Sequence, residues 1–450
     1  MAETTPVVDT WQEQETHGHK IPGYRYTSRE FLAREWEGMW TKVWLLLGRE
    51  AELPNPGDWQ MEPVGPEEIL MVRQKDGSVK AFYNVCQHRG NPLVSEPKGS
   101  IKSRFVCKYH SWAFLPDGTL NFAPDREDFP EGNPCGKVNL IELRCETFAG
   151  FIWINMDPNC GSLRSYLGPI WDEWARRDIH TWRRTMANSM ELPCNWKIVL
   201  DNFNESYHVP TVHMAATPDT DRTKIRGNIN TYFRETKFDL SNEGHNRMIM
   251  EGGYGVGSTD KDGNILDPLA SQLRYWDLNP EDFRGAPEKT RAALQEAKRR
   301  LGPARGFSHY AKVPDQQLTD AFHYTLFPNF AVSLWSDGFH FLRARPHPTD
   351  PERCLFDNWW YASPASIEAG SKANERGMGS YQGPDEAPLR MLEFGKDSIG
   401  PAIEDDVSVF VTQQRGFRSR GFVGVYLSKQ ETRIWRYHEL IDEYIDGRRS

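Results

Sequence analysis

A chain of 450 residues, 38% hydrophobic and 26% charged, has enough apolar material to bury a sizeable core, in two domains by length. A net charge of −9 argues against a nucleic-acid partner, and no apolar run reaches the about 18 residues that a membrane-spanning helix needs. The start, Met-Ala-Glu-Thr-Thr-Pro, lacks a basic-then-apolar signal, and seven cysteines in so long a chain do not form a disulfide scaffold; a reducing, cytoplasmic setting is expected.

In chain order, residues 1–42 read as a polar arm followed by a helix, with Ser28 as N-cap and Phe31, Leu32, Trp36 and Trp40 as its apolar stripe. Residues 43–155 change to short strands, among them 43–47, 69–73, 79–85 and 150–155, punctuated by Pro54-Asn55-Pro56-Gly57, Asp76-Gly77 and Asp117-Gly118. This is an all-β module. Residues 156–450 are mixed, so the whole chain is α+β. Helices are expected near 162–178, 195–208, 286–301 and 433–446, and strands at 229–238, 247–250, 322–335, 338–346 and 354–362. Residues 251–320, rich in Gly, Pro, Asp and Arg, read as an insertion or a mobile cover rather than core.

Two stretches carry the chemistry. In the β module stand Cys86-Gln87-His88 and Cys107-Lys108-Tyr109-His110. Two loops presenting one Cys and one His each can hold a tetrahedral zinc. The mixed order also suits a Rieske [2Fe–2S] cluster, with two thiolates on one iron and two imidazoles on the other. Cys135, Cys145, Cys160, Cys194 and Cys354 show no such pattern and read as free buried thiols.

The second stretch runs from Asn195 to His213 and reads as a helix on which Asp201, Glu205 and His208 share a face. His213, five residues after His208, lies about 140° around an ideal helix. Both imidazoles reach one ion only if the helix is overwound, bulged or broken, and Pro210 lies between them.

The flanks carry a resemblance. Asn84-Val85-Cys86-Gln87-His88-Arg89-Gly90 and Cys107-Lys108-Tyr109-His110-Ser111-Trp112 are similar to the Rieske domain of ring-hydroxylating oxygenase α subunits, with Ser111 where that family usually has Gly. Asn195-Trp196-Lys197 through Asp201-Asn202-Phe203-x-Glu205-x-Tyr207-His208 and on to His213 resembles the same family's catalytic motif. The resemblance implies a second domain of helix-grip type, a curved antiparallel sheet wrapping helices. It implies that Cys86 and Cys107 bind the inner cluster iron and His88 and His110 the outer one. It also implies a mononuclear Fe(II) held by His208, His213 and a late carboxylate, the facial triad that leaves three positions open. Counting back from Gln414-Arg415-Gly416, taken as a turn, favours Asp406 over Asp405. Asn202, Phe203 and Val209 match pocket-facing positions. His323, His340 and His347 read as structural, Trp112 and Trp196 as packing anchors, and His17 and His19 carry no assignment.

The function so implied is that of a terminal oxygenase. Electrons come from NAD(P)H through a separate reductase, with or without a ferredoxin, since no Gly-rich dinucleotide fingerprint follows a strand. The substrate is expected to be an aromatic or other apolar organic molecule, dihydroxylated or hydroxylated. N- or O-dealkylation, or attack on a quaternary amine, is the other outcome, and a zinc-stabilised binding protein the remote one. The family's head-to-tail ring of three, with or without a small β subunit, implies that Glu205 bridges to a cluster histidine of the next subunit; the alternative is that it orients His208 within its own chain.

Overall fold

The computed structural model describes residues 20–213, 237–241, 243–250, 252, 258–370, 383 and 386–449. The backbone divides into two units. One is Ala33–Tyr166 with the C-terminal residues from Tyr444; the other is Leu167–Glu443 with the N-terminal residues up to Leu32.

The chain enters through a helix, α1 (Arg29–Glu35), whose first turn is closed by Ser28 Oγ accepting from Phe31 N at 3.1 Å. The expected single helix continues only as a π-helical turn, Trp36–Trp40.

The first unit is all-β. Its seven-stranded sheet runs β1 (Leu45–Arg49), β10 (Phe151–Asn155), β9 (Glu142–Phe148), β4 (Val79–Tyr83), β3 (Glu67–Arg73), β2 (Asp58–Val64), β5 (Lys98–Ser100), every pair antiparallel. A small sheet, β6 (Phe105–Val106), β7 (Ala113–Phe114) and β8 (Leu120–Phe122), stands apart from it in the ladder. Trp59, Leu70, Val72, Phe82, Phe105, Trp112 and Phe114 form one core, and Cys86 and Cys107 belong to it. A helix, α2 (Leu163–Leu167), follows.

The second unit is a mixed layer of one large sheet and helices. Gly168, at φ 52°, separates α2 from α3 (Pro169–Ala175), so the helix expected at 162–178 is two. The eight-stranded sheet has the order β12 (Lys237–Leu240), β13 (Asn246–Met250), β14 (Ala321–Leu326), β15 (Phe330–Leu334), β16 (Gly338–Pro346), β17 (Cys354–Ala362), β11 (Arg183–Leu192), β18 (Arg390–Leu392). All pairs are antiparallel except the edge strand β18 beside β11. The strand expected at 322–335 is a hairpin turning at Phe327-Pro328-Asn329. Of the strand expected at 229–238 only its end lies within the described residues. β11 was not foreseen: Arg-Arg-Thr-Met-Ala-Asn-Ser-Met-Glu-Leu has no apolar alternation. Pairing with β17 buries it, and its polar groups find partners there, Ser189 Oγ donating to Asp357 at 2.6 Å.

α4 (Trp196–Phe203) lies against β15, β16 and β17, with Asn195 as N-cap, its side chain accepting from Lys197 N. α5 (Val209–Val212) is a single turn. α6 (Leu269–Tyr275), α7 (Lys289–Leu301) and several 3-10 turns follow. α8 (Pro364–Ala369), α9 (Pro401–Phe417) and α10 (Thr432–Ile445) complete the chain.

One expectation is overturned here. The described part of 251–320 is not a loose cover: Leu269, Leu273, Trp276, Leu294, Phe307, Tyr310 and Leu318 bury themselves in a core of their own. Each such side chain contributes about 2 kcal/mol. Its Gly- and Pro-rich stretches are the turns between short helices, and the composition alone hid the apolar spacing.

Two candidate metal centres

The first centre is built by two loops of matching design. In the loop after β4, Gly90 N donates to Cys86 O and Cys86 N to Asn91 O. In the loop after β6, Ser111 N donates to Cys107 O and Cys107 N to Trp112 O. Each loop needs a left-handed residue four places after its cysteine: Gly90 has φ 73° and Ser111 φ 57°. Asn84 anchors the first loop, its Oδ1 accepting from Leu93 N and Val94 N while Nδ2 donates to Val94 O.

Both cysteines are buried, and the two imidazoles lie side by side, their centroids 4.5 Å apart, with His88 stacked on Trp112. Trp112 is thus more than a packing anchor. The donor set fits a metal group. Burial, together with the neighbouring Cys107 sulfur, pushes the Cys86 thiol up to about 11 despite the backbone N–H groups of His88 and Arg89, which favour the thiolate; a bound cation would tip the balance toward it. Burial, His110 and Arg89 hold the His88 pKa low, which keeps its imidazole neutral, the form that ligates. His88 Nδ1 is buried without a hydrogen-bond partner. Among the described residues, the one group of three or more such side chains that converges on a point lies elsewhere, at His208, His213 and Asp406. Four ligands that do not converge suit two irons better than one tetrahedral zinc.

The second centre sits where α4 stops. The helix expected to run through His208 ends at Phe203, with Asn204 as its C-cap. Asp201 therefore does not share a face with Glu205 and His208. It points into a buried network, accepting from Tyr26 OH at 2.7 Å and facing His438 Nε2 at 3.1 Å. Those partners are 175 and 237 residues away in sequence, and no local pattern announced them. His208 immediately precedes α5 and His213 immediately follows it. Thr211 N donates to His208 O in a tight three-residue bond, and Pro210 sits in the first turn, where its missing N–H costs nothing. The break that aligns the two imidazoles thus lies before His208, not at Pro210.

Asp406 comes from the interior of α9, and Gln413-Gln414-Arg415-Gly416 is helical rather than a turn. Its Oδ1 lies 3.4 Å from His208 Nε2 and 3.3 Å from His213 Nε2. Asp405 is more exposed and lies 3.8 Å from His213 Nδ1, beyond hydrogen-bonding reach. Glu205 is bonded through Oε1 to His208 Nδ1, and its Oε2 accepts from the backbone N–H of Tyr207 and of His208. Asn202, expected at the pocket wall, donates through Nδ2 to Asp406 Oδ1 at 3.1 Å. Phe203 stacks on Phe356, and Val209 opens α5. His323 faces Ser333 Oγ at 2.7 Å and Phe203 O at 2.6 Å, His340 is bonded to Asn358, and His347 Nδ1 accepts from Asp350 N.

The field at this centre calls for a cation. Burial opposes charge on His208, yet Asp406 and Glu205 raise its pKa to about 9; burial likewise opposes charge on Asp406, yet His208 and His213 hold its pKa low. Without a metal the site takes up protons; two imidazoles and a carboxylate suit a divalent iron equally.

Comparison with known proteins agrees. The family model described as ring hydroxylating alpha subunit (catalytic domain) matches residues 179–447, more than half of the chain, and that of the Rieske [2Fe-2S] domain matches residues 43–137. The chain belongs to the ring-hydroxylating oxygenase α-subunit family. With that membership come a Rieske [2Fe–2S] cluster and a mononuclear iron, and the two donor sets above fit them. The carnitine monooxygenase oxygenase subunit of Escherichia coli (strain K12) is 35% identical over 195 residues, 43% of this chain. The chain spans about half the length, 52%, of that curated relative. The large oxygenase component of the naphthalene 1,2-dioxygenase system of Pseudomonas fluorescens is 28% identical over 444 residues, 89% of this chain and 90% of that one. Among solved structures, the quaternary ammonium Rieske monooxygenase CntA with L-carnitine superposes with a TM-score of 0.62 at 22% identity, covering 94% of this chain and 95% of that one. Naphthalene 1,2-dioxygenase with indole superposes at 0.65 and 21%, covering 94% and 91%. Likeness at that identity speaks for the fold, the all-β domain and antiparallel catalytic sheet of an α+β oxygenase. Among the described residues no helix is long and apolar enough to cross a membrane.

Proposed function

We propose that this α subunit is the terminal oxygenase of a multicomponent system, and that His208, His213 and Asp406 are the mononuclear iron ligands. The observation that carries the reading is the convergence of those three side chains within 4.8 Å of one another. Cys86, His88, Cys107 and His110 are the cluster ligands in the same reading. An iron held by His208, His213 and Asp406 would supply oxygen activation, and a cluster held by the two loops would supply its electrons. The chain's own residues prepare the place. Glu205 fixes the ring of His208 through Nδ1, so that Nε2 is the atom turned toward Asp406. Asn202 holds the carboxylate of Asp406 in line with both imidazoles.

The substrate in this reading is an aromatic or other apolar organic molecule, hydroxylated or dihydroxylated. A second reading, oxygenation of a quaternary amine, is favoured by the 35% identity to carnitine monooxygenase and by Glu205 in the helix-end motif. Electrons come from a separate reductase, with or without a ferredoxin. Subunits join in a ring of three, with or without a β subunit, in which Glu205 faces a cluster histidine of the next copy. Inter-subunit electron transfer in a quaternary ammonium Rieske monooxygenase of similar fold is in keeping with such an assembly. The intrachain bond to His208 leaves carboxylate lone pairs for such a bridge.

The test is iron content and oxygen consumption. Purified protein should hold about three irons per chain. With a reconstituted donor it should consume oxygen with either arenes or quaternary and N-alkyl amines. Zinc in place of iron, with no visible absorbance, would overturn the reading. For the bridge, a pre-reduced Glu205→Ala protein should reoxidise its cluster slowly; parental speed removes the role.

A further inference from the structure

Behind the helix break lies a group that neither centre accounts for. Arg433, in the first turn of α10, is fully buried. Its Nε donates to Asn246 Oδ1 at 2.6 Å, and one terminal nitrogen donates to Thr325 Oγ1 at 3.2 Å and His323 O at 3.4 Å. The other terminal nitrogen, buried, has no hydrogen-bond partner. All these contacts are neutral. Placing a guanidinium out of water on neutral acceptors costs several kcal/mol, so its position calls for a role in the structure around it.

The two side chains it holds both lead to one residue. Asn246 Nδ2 donates to Asn204 Oδ1 at 3.1 Å, and Thr325 Oγ1 donates to the same oxygen at 2.7 Å. Asn204 is the residue that ends α4, and Glu205 follows it. Arg433 thus reaches Glu205 through a hydrogen-bond relay of two arms that holds the residue before it.

We infer that Arg433 is a positioning residue for the mononuclear centre: through Asn246 and Thr325 it holds Asn204, and with it the turn that directs Glu205 at His208 Nδ1. The inference rests on the reading of His208 as an iron ligand. With the relay in place Glu205 keeps its direction, and His208 presents Nε2 in one orientation. Without it Asn204 loses the two side chains that Arg433 holds against it, and the turn that aims Glu205 is free to shift.

The test uses the full protein with its cluster retained and the mononuclear iron removed by a chelator. Fe(II) is titrated back, and the bound fraction is read from the electron-spin signal of its nitric oxide adduct. Arg433→Gln should weaken Fe(II) binding about 10–100-fold, the range for partners of metal-bound histidine, and should alter the shape of that signal. The cluster spectrum should not change. Arg433→Lys, which keeps a donor for Asn246 and Thr325, should restore binding to within about threefold of the parent, which a space-filling role alone would not produce. In a Glu205→Gln background, Arg433→Gln should add less than about threefold, because coupled residues are not additive. Parental affinity in Arg433→Gln, or full additivity in the double variant, overturns the inference. If Arg433→Gln does not fold, Arg433→Lys decides: a folded lysine variant that binds iron tenfold worse or more weakly overturns it. If the parent itself takes up no Fe(II) at this centre, the ligand reading fails instead.

Discussion

The two metal centres are assembled in opposite ways. The proposed cluster ligands come from two short loops of nearly the same hydrogen-bond pattern, and each loop carries its cysteine and histidine within four residues. The proposed mononuclear ligands come from a helix break and from the middle of a helix far along the chain, and two of them are held by a further side chain, Glu205 on His208 and Asn202 on Asp406. A centre built locally depends on backbone conformation. A centre built from distant segments depends on its side-chain partners, and substitutions should tell the two kinds apart.

The largest effect is expected at the ligands. Asp406→Ala should lower Fe(II) affinity by more than about 100-fold, beyond the range for outer partners, and abolish turnover while the visible cluster spectrum persists. Cys107→Ser should do the reverse, bleaching the cluster while Fe(II) still binds at His208 and His213. Iron analysis with absorption spectra separates them. If Asp405→Ala rather than Asp406→Ala empties the site, the helix places its carboxylates otherwise than described.

Next in size is the partner of the carboxylate. Asn202→Ala should weaken Fe(II) binding about tenfold, measured by titration of the chelated protein, and leave the cluster unchanged.

The pH dependence follows from His208. Its pKa in the metal-free fold is raised to about 9 from the ordinary 6.5, so it holds a proton that iron must displace. Apparent Fe(II) affinity should therefore increase with pH from about 6.5 to about 9. The metal-free fold should show the opposite trend: the stability gained from the charged imidazole is complete below about 6.5 and lost as pH rises through 9. Calorimetry of chelated protein across that window checks the sign, and an affinity that falls with pH would contradict it.

The smallest effect belongs to the loops. Ser111 holds a left-handed backbone at φ 57°, which costs an L-residue about 1–2 kcal/mol, against about 0.5–1 kcal/mol of extra chain entropy for glycine. Ser111→Gly should stabilise the cluster domain by about 0.5 kcal/mol, and Gly90→Ala should destabilise it by about 1 kcal/mol. Thermal melts followed at the cluster absorbance would resolve both.

The contrast also explains what the sequence made legible. Cys86, His88, Cys107 and His110 stand in compact motifs, and the strands around them bury continuous apolar runs such as Ile69-Leu70-Met71-Val72. His208 and His213 were legible as a pair, but their geometry was not. Helical periodicity carried α4 through to His208, whereas Asn204 ends it through contacts with Asn246 and Thr325, residues that no local pattern links to it. Asp201 was misplaced for the same reason, since Tyr26 and His438 capture it from both ends of the chain. Strand β11 and the core within 258–320 escaped notice because burial there follows partners, not alternation.

The convergence of His208, His213 and Asp406 has a consequence for metal choice inside a cell. Three nitrogen and oxygen donors on one point bind zinc more tightly than ferrous iron, because affinity at such sites rises along the first-row series past iron. Geometry gives this centre little defence, so mismetallation by zinc is its natural mode of failure and iron supply its safeguard. Among the described residues Cys86, His88, Cys107 and His110 form no such converging group, so they offer a single zinc ion no comparable site. Protein made under zinc excess should therefore stay coloured and yet be inactive.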